Sequence, residues 1–209
     1  MKEKIPFLLA AGIIPWAATA VGGDFSSRLY LNGDIGAAFE QEVRIKGADL
    51  IDFHNGLRAD LALGYRATSW FALELASGAI WNSGDKIGGV TLDSFGGGLD
   101  LYQIPIMGNV VLSTPCYWHG FKPYLGAGVG GAAAILDFQR PLGSIRDTDF
   151  TFGYQAFAGL NYKICEHVDL GVGYKFLQTE DHTWAQNGVT LQTEGTGVHS
   201  VTASLTWKF

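Results

Sequence analysis

Residues 200–209 read SVTASLTWKF, and every second one is apolar. Val201, Ala203, Leu205, Trp207 and Phe209 make one face, while Ser200, Thr202, Ser204, Thr206 and Lys208 make the other. Period two is the mark of a β-strand with one oily and one polar side. A soluble sandwich and a membrane barrel share this pattern, so the choice between them rests on the residues that lie outward from this strand.

The alternation recurs seven times upstream. RLYLNGDIGAAF (28–39) sets Leu29, Leu31, Ile35, Ala37 and Phe39 against Arg28, Tyr30, Asn32 and Asp34. GLRADLALGYR (56–66) sets Leu57, Ala59, Leu61, Leu63 and Tyr65 against Arg58, Asp60 and Arg66, and WFALELASGAIW (70–81) sets Phe71, Leu73, Leu75, Ala79 and Trp81 against Glu74 and small residues. KPYLGAGVGGAAAI (122–135), FTFGYQAFAGLNY (150–162) and HVDLGVGYKF (167–176) follow the same rule. In LDLYQIPIMGNVVL (99–112) the oily parity switches between Leu101 and Ile104, which predicts a β-bulge near Tyr102 or Gln103. Eight strands result.

Connections alternate in length: 40–55, 82–97, 137–149 and 178–199 read as long polar loops, and 67–69, 113–119 and 163–167 as short turns. In an up-and-down antiparallel sheet this puts all four long loops at one end and both chain ends with the short turns. A soluble eight-stranded barrel keeps its oily side chains inside, and a membrane barrel inverts that arrangement. Inversion is expected here. The oily face carries aromatics near strand ends, as bilayer interfaces favour. The polar face mixes glycines with charges that nearly balance: Arg28, Arg58, Arg66, Lys122, Lys175 and Lys208 against Asp34, Asp60, Glu74, Asp100 and Asp169. Charges withdrawn from water need partners, so near-neutrality suits a closed interior. The segments also match the roughly 9 to 11 residues that a tilted strand needs to cross a bilayer.

The first twenty residues, MKEKIPFLLAAGIIPWAATA, join Lys2 and Lys4 to an apolar run and end on Ala18-Thr19-Ala20, which reads as a secretory signal peptide over 1–20. Residues 21–209 then form one domain. Removing two Lys and one Glu turns 14 basic and 20 acidic residues into 12 and 19, a net of -7. No basic stripe exists, so nucleic acid is not an expected partner. No later apolar window is long enough for a spanning helix.

The signal, the Gly-rich eight-strand meander and the Trp207-Lys208-Phe209 ending together resemble bacterial outer-membrane barrels of the OmpA-like and opacity-protein surface-antigen type. The resemblance implies an all-β, closed, eight-stranded antiparallel up-and-down transmembrane barrel with short periplasmic turns and four longer extracellular loops. It implies residence in the outer membrane in contact with its lipid, and recognition of Trp207-Lys208-Phe209 by the assembly machinery. A monomer with a structural, adhesive or antigenic role, carried by loops that meet an unidentified cell-surface ligand, is expected. The alternative is a narrow porin-like channel for small solutes.

Candidate chemistry is sparse. His199 and Ser200 are adjacent on a strand and face opposite ways, which excludes a nucleophile–base pair. Asp181-His182, beside Glu180, reads as a solvated acidic loop, and GAGVGG (126–131) as strand packing, since no Lys-Ser/Thr follows it. Cys116 and Cys165 fall in short turns; an oxidising compartment permits a disulfide between them, and free thiols are the default. With His119 and His167 nearby, a metal site is conceivable but not expected. Trp184, Val189 and Leu191 are expected to pin the longest loop to the barrel rim. No catalytic, cofactor-binding or metal residues are assigned, no cofactor is expected, and the chain reads as a non-enzyme.

Overall fold

Eight long strands carry the chain: β1 (Leu29–Glu40), β2 (Gly56–Arg66), β3 (Phe71–Ile87), β4 (Gly98–Ser113), β5 (Phe121–Arg140), β6 (Gly143–Lys163), β7 (Val168–Thr179) and β8 (Gly197–Lys208). The computed structural model describes residues 23–40, 43–44, 50–53, 55–87, 90–91, 98–140, 143–186, 189–193 and 195–209. The expected signal segment 1–20 lies outside them. Each strand pairs antiparallel with the next, and β8 pairs with β1 from Tyr30–Lys208 to Glu40–Val198, which closes the cylinder. The Phe209 amide donates to the Leu29 carbonyl at 3.2 Å, so the closing ladder runs to the last residue. A closed ladder leaves no unpaired edge, which is the condition lipid imposes on a sheet.

The orientation of the faces is decided by exposure. Leu61 is 40%, Leu75 64% and Val172 62% exposed, whereas Arg58 is 1% and Asp34 6% exposed. The oily set thus forms the outer surface and the charged set the lumen. The continuous apolar exterior is far larger than any patch a water-soluble monomer tolerates. Rings frame the belt at both rims. Near the short turns, Phe121 packs on Tyr162 and Phe25 stacks on Tyr65, each with centroids 4.9 Å apart. At the other end Trp81 stacks on Tyr102 at 6.2 Å.

Two of the three tight turns carry identifiable chemistry. Thr68 Oγ1 accepts from the Trp70 and Phe71 amides at 3.3 and 3.0 Å, closing the β2–β3 turn with a side chain. In the turn before β5, Trp118 and Phe121 exchange backbone hydrogen bonds of 2.8 and 2.9 Å around His119 (φ 52°) and Gly120 (φ 88°). Positive φ at both central residues matches the strand twist of a two-residue hairpin, and Gly120 takes it without strain.

Three expectations need correction. The fourth strand has no bulge at Tyr102 or Gln103: its pairing with β5 runs in one register from Gly98–Gln139 to Ser113–Tyr124. The oily parity changes because Leu99 and Leu101 lie beyond the Trp81–Tyr102 rim, where lipid no longer dictates which parity is apolar. The loop expected over 137–149 is instead a continuation of β5 and β6, which stay paired up to Arg140–Gly143. Likewise β3 continues to Ile87, well into the stretch expected as loop 82–97. The segments expected as loops 40–55 and 178–199 begin and end inside barrel strands and carry short strands of their own: Leu50–Phe53 pairs with the far end of β3, and His182–Gln186 forms a hairpin with Val189–Thr193. Trp184 and Leu191 face each other in its register, and their side chains lie outside the described residues.

Candidate functional site

The inward-facing residues fill the lumen in layers, and glycines make the room. A Cβ at Gly64 would overlap the Tyr30 ring, and one at Gly128 would overlap the Asn109 amide. Large polar side chains therefore lie across facing glycines, a packing available only in a narrow barrel.

At the turn end, Lys208 Nζ pairs with Asp169 Oδ1 at 2.7 Å. Tyr117, from the turn before β5, tucks under the mouth and donates to Asp169 Oδ2 at 2.6 Å, while Lys208 donates to the Tyr117 hydroxyl oxygen at 3.1 Å. Burial, and then the hydrogen bond and charge of Asp169, raise the Tyr117 hydroxyl above the ordinary phenol range, so it stays a neutral donor. One layer up, Tyr30 donates to Glu74 Oε1 at 2.6 Å and packs with Ala72, Val111, Tyr124 and Phe157.

The middle layer holds the strongest electrostatics. Asp60 Oδ2 accepts from Arg58 Nε at 2.7 Å and from Lys175 Nζ at 2.9 Å, and Lys175 also reaches Asp34 Oδ2 at 2.6 Å. Arg58 Nη2 donates to Gln155 Oε1 at 3.2 Å, and Gln155 Nε2 to Asn109 Oδ1 at 2.7 Å. The network ties β1, β2, β4, β6 and β7 together across the lumen. Because the outer face merely meets lipid, these cross-lumen bonds and the strand ladder are what fix the cylinder's shape.

Above the charges lies an apolar septum. Ala38, Ile80, Leu177 and Val198 are 0% exposed and Met107 1%, and the five form one cluster. Beyond it, Glu40 accepts from Asn82 Nδ2 at 2.5 Å and Gln103 Nε2 at 2.9 Å. A cavity of about 90 Å³ lined by Glu74, Asn109, Lys122 and Lys175 occupies the turn-end half. None of the five septum residues lines it.

Of the charges assigned to the lumen from the sequence, Asp34, Arg58, Asp60, Glu74, Asp169, Lys175 and Lys208 occupy it, Lys122 and Arg66 line its mouth, and Arg28 stands exposed at the rim. The side chain of Asp100 lies outside the described residues. Glu40 was expected in a loop; its signal was inward parity two residues after Ala38. The septum was not anticipated, although Ile80, Met107 and Leu177 are apolar residues on the polar parity.

Among the described residues the other candidates form no catalytic arrangement, and the side chain of His182 lies outside them. His199 is on the outer wall, its Nδ1 2.5 Å from the Tyr174 hydroxyl and its ring 4.8 Å from Phe176, while Ser200 is fully buried on the lumen side. Asp181 Oδ1 accepts from the Gly195 amide at 3.0 Å, a structural contact, and Glu180 is exposed. The GAGVGG run lies within β5. Cys116 and Cys165 are exposed free thiols, so the permitted disulfide is absent. Among the described residues no group of three or more His, Cys, Asp or Glu side chains is placed to hold a metal.

Comparison with known proteins places this geometry. Neisserial surface protein A is similar in fold, with a TM-score of 0.60, 18% identity, and 88% of this chain and 98% of that chain covered. The outer membrane protein OprG from Pseudomonas aeruginosa gives a TM-score of 0.55 at 13% identity over 88% and 98%. The outer membrane protease OmpT from Escherichia coli gives 0.52 at 9% identity over 92% and 100%. No curated sequence matches. The family model for the outer membrane protein beta-barrel domain matches residues 7–209. With its closed eight-stranded cylinder, lipid-facing belt and polar lumen, the chain belongs to the outer membrane protein β-barrel family.

Proposed function

We propose that this barrel is closed to solutes and acts through what it displays at the cell surface, as an adhesin- or antigen-like membrane protein with no enzymatic step. The observation that carries the reading is the septum: five apolar side chains from five strands, at most 1% exposed, meet in one cluster inside the lumen. A desolvated apolar plug is a barrier to ions and polar solutes, and eight strands leave no room beside it.

What stands beyond the belt supports a surface role. The β5–β6 hairpin continues from the Ala133–Phe150 pair to the Arg140–Gly143 pair. At about 3.3 Å per residue the ribbon reaches on the order of 20 Å past the apolar exterior. The 182–193 hairpin packs against β6 on the same side. On this reading the chain is secreted through its N-terminal signal, delivered to the assembly machinery by Trp207-Lys208-Phe209, and works as a monomer, its loops meeting a ligand on another cell or matrix.

Cells producing the full chain are compared with cells in which residues 182–193 are replaced by a Gly-Ser linker, for adherence to other cells and matrix-coated surfaces. The purified barrel is tested in parallel in planar bilayers. Reduced adherence of the variant and electrical silence are expected. Equal adherence removes the display role for that hairpin, and stable single-channel steps would revive the narrow channel.

A further inference from the structure

The sequence brings three cations to one spot at the turn end. Arg28 precedes β1, Arg66 ends β2 and Lys122 lies at the start of β5, all on the parity of the lumen-facing side chains. With Ser27, Thr68 and Ser69 they line a cleft of about 400 Å³. Their hydrogen bonds go to backbone carbonyls: Arg28 Nη1 to Ala67 at 3.4 Å, Arg66 Nη2 to Ser27 at 3.1 Å, and Lys122 Nζ to Ser69 at 3.3 Å. Among the described residues no carboxylate pairs with any of the three. Asp169, in the adjoining layer, is already held by Lys208 and Tyr117. Elsewhere in the lumen Arg58, Lys175 and Lys208 each hold an acid. Among the described residues the mouth is therefore where cationic charge converges without an acidic partner, and like charges around one concave space build a positive potential within it.

We propose that this periplasmic cleft is an oxyanion-binding site for a phosphate group. Two guanidinium forks and an ammonium supply three positive charges and several directed donors, a set that matches a multiply charged tetrahedral oxyanion better than a single carboxylate. Thr68, whose Oγ1 accepts two turn amides, directs its hydroxyl proton elsewhere and can add a donor. The same chemistry is presented by free phosphate compounds of the periplasm and by phospholipid headgroups of the inner leaflet. The latter come within reach of the rim, which Trp70 marks with a ring 52% exposed.

The refolded full barrel in a non-ionic detergent is titrated with inorganic phosphate by calorimetry, against chloride of matched ionic strength. Saturable heat is expected. Arg28→Gln, whose parent side chain is exposed, and Lys122→Gln should each weaken affinity about tenfold or more, the effect of losing a hydrogen bond to a charged group. Lys163→Gln, outside the cleft, should leave it unchanged. Repeating the titration in phosphatidylglycerol nanodiscs separates the sources: binding that persists assigns free phosphate compounds, and binding suppressed about tenfold assigns the lipid headgroup. No saturable heat above chloride in detergent, or unchanged affinity in both cleft variants whose folding is confirmed by gel mobility, overturns the proposal.

Discussion

Replacing Asp60 by Asn tests whether ion pairing in the lumen holds the barrel's shape. Asp60 Oδ2 is shared by Arg58 at 2.7 Å and Lys175 at 2.9 Å. At an effective dielectric near 20, unit charges about 3 Å apart attract by about 6 kcal/mol, most of it offset by desolvation. What a neutral residue exposes is the desolvation left unbalanced, and the two partners differ in it. The Lys175 side chain is 12% exposed and borders the cavity, so water can replace the lost contact. The Arg58 side chain is 2% exposed and, among the described residues, keeps Gln155 as its one side-chain partner. The cost should fall at the low end of the range for breaking a buried pair, about 3 kcal/mol. Arg58→Met/Asp60→Leu removes both charges, leaves Lys175 paired with Asp34, and should return to within about 1 kcal/mol of the parent. Equilibrium urea unfolding in phosphatidylcholine vesicles, followed by tryptophan fluorescence, measures all three. A cost below about 1 kcal/mol for Asp60→Asn, or a double variant as unstable as Asp60→Asn, would refute the reasoning.

Further outcomes follow from other layers. Leu177→Ala in the septum should cost about 2 to 5 kcal/mol, and Ile80→Ala/Met107→Ala/Leu177→Ala should convert a silent barrel into one with conductance steps in planar bilayers; silence of the triple variant would show that another layer also seals the lumen. Gly64→Val should destabilise by about 1 to 3 kcal/mol through the Tyr30 ring, and adding Tyr30→Ala should recover part of it; no recovery would put the strain elsewhere. Cys116 and Cys165, exposed at the turn end, should both react with a membrane-impermeant maleimide on the folded barrel without reductant, and a single modification or none contradicts their assignment.

Legibility in the sequence followed the bilayer. Where a strand lies between oil and a polar lumen, alternation is forced, and β2 over Gly56–Arg66 matches its expected bounds residue for residue. Past the aromatic rim that constraint lapses. There DFQRPLGSIRDTD (137–149) has the composition of a loop while 137–140 and 143–149 continue as a paired ribbon, and Leu99 and Leu101 mimic a bulge that the register does not contain. The lumen was legible as charge: Arg58, Asp60, Lys175 and Asp34 stood on one parity before their pairing was visible. Its septum was not, because Ile80, Met107, Leu177 and Val198 come from four strands, and one apolar residue on a polar face gives no local sign that three others meet it.

The inverted arrangement of faces is tested most directly along β8. Single nitroxide labels at positions 201–206, in a barrel refolded into phosphatidylcholine bilayers, report collision with oxygen dissolved in the hydrocarbon. Positions 201, 203 and 205 should give maxima and 202, 204 and 206 minima, as Val201 at 56% and Thr202 at 2% exposure require. The opposite phase would place the oily residues inside and contradict the account.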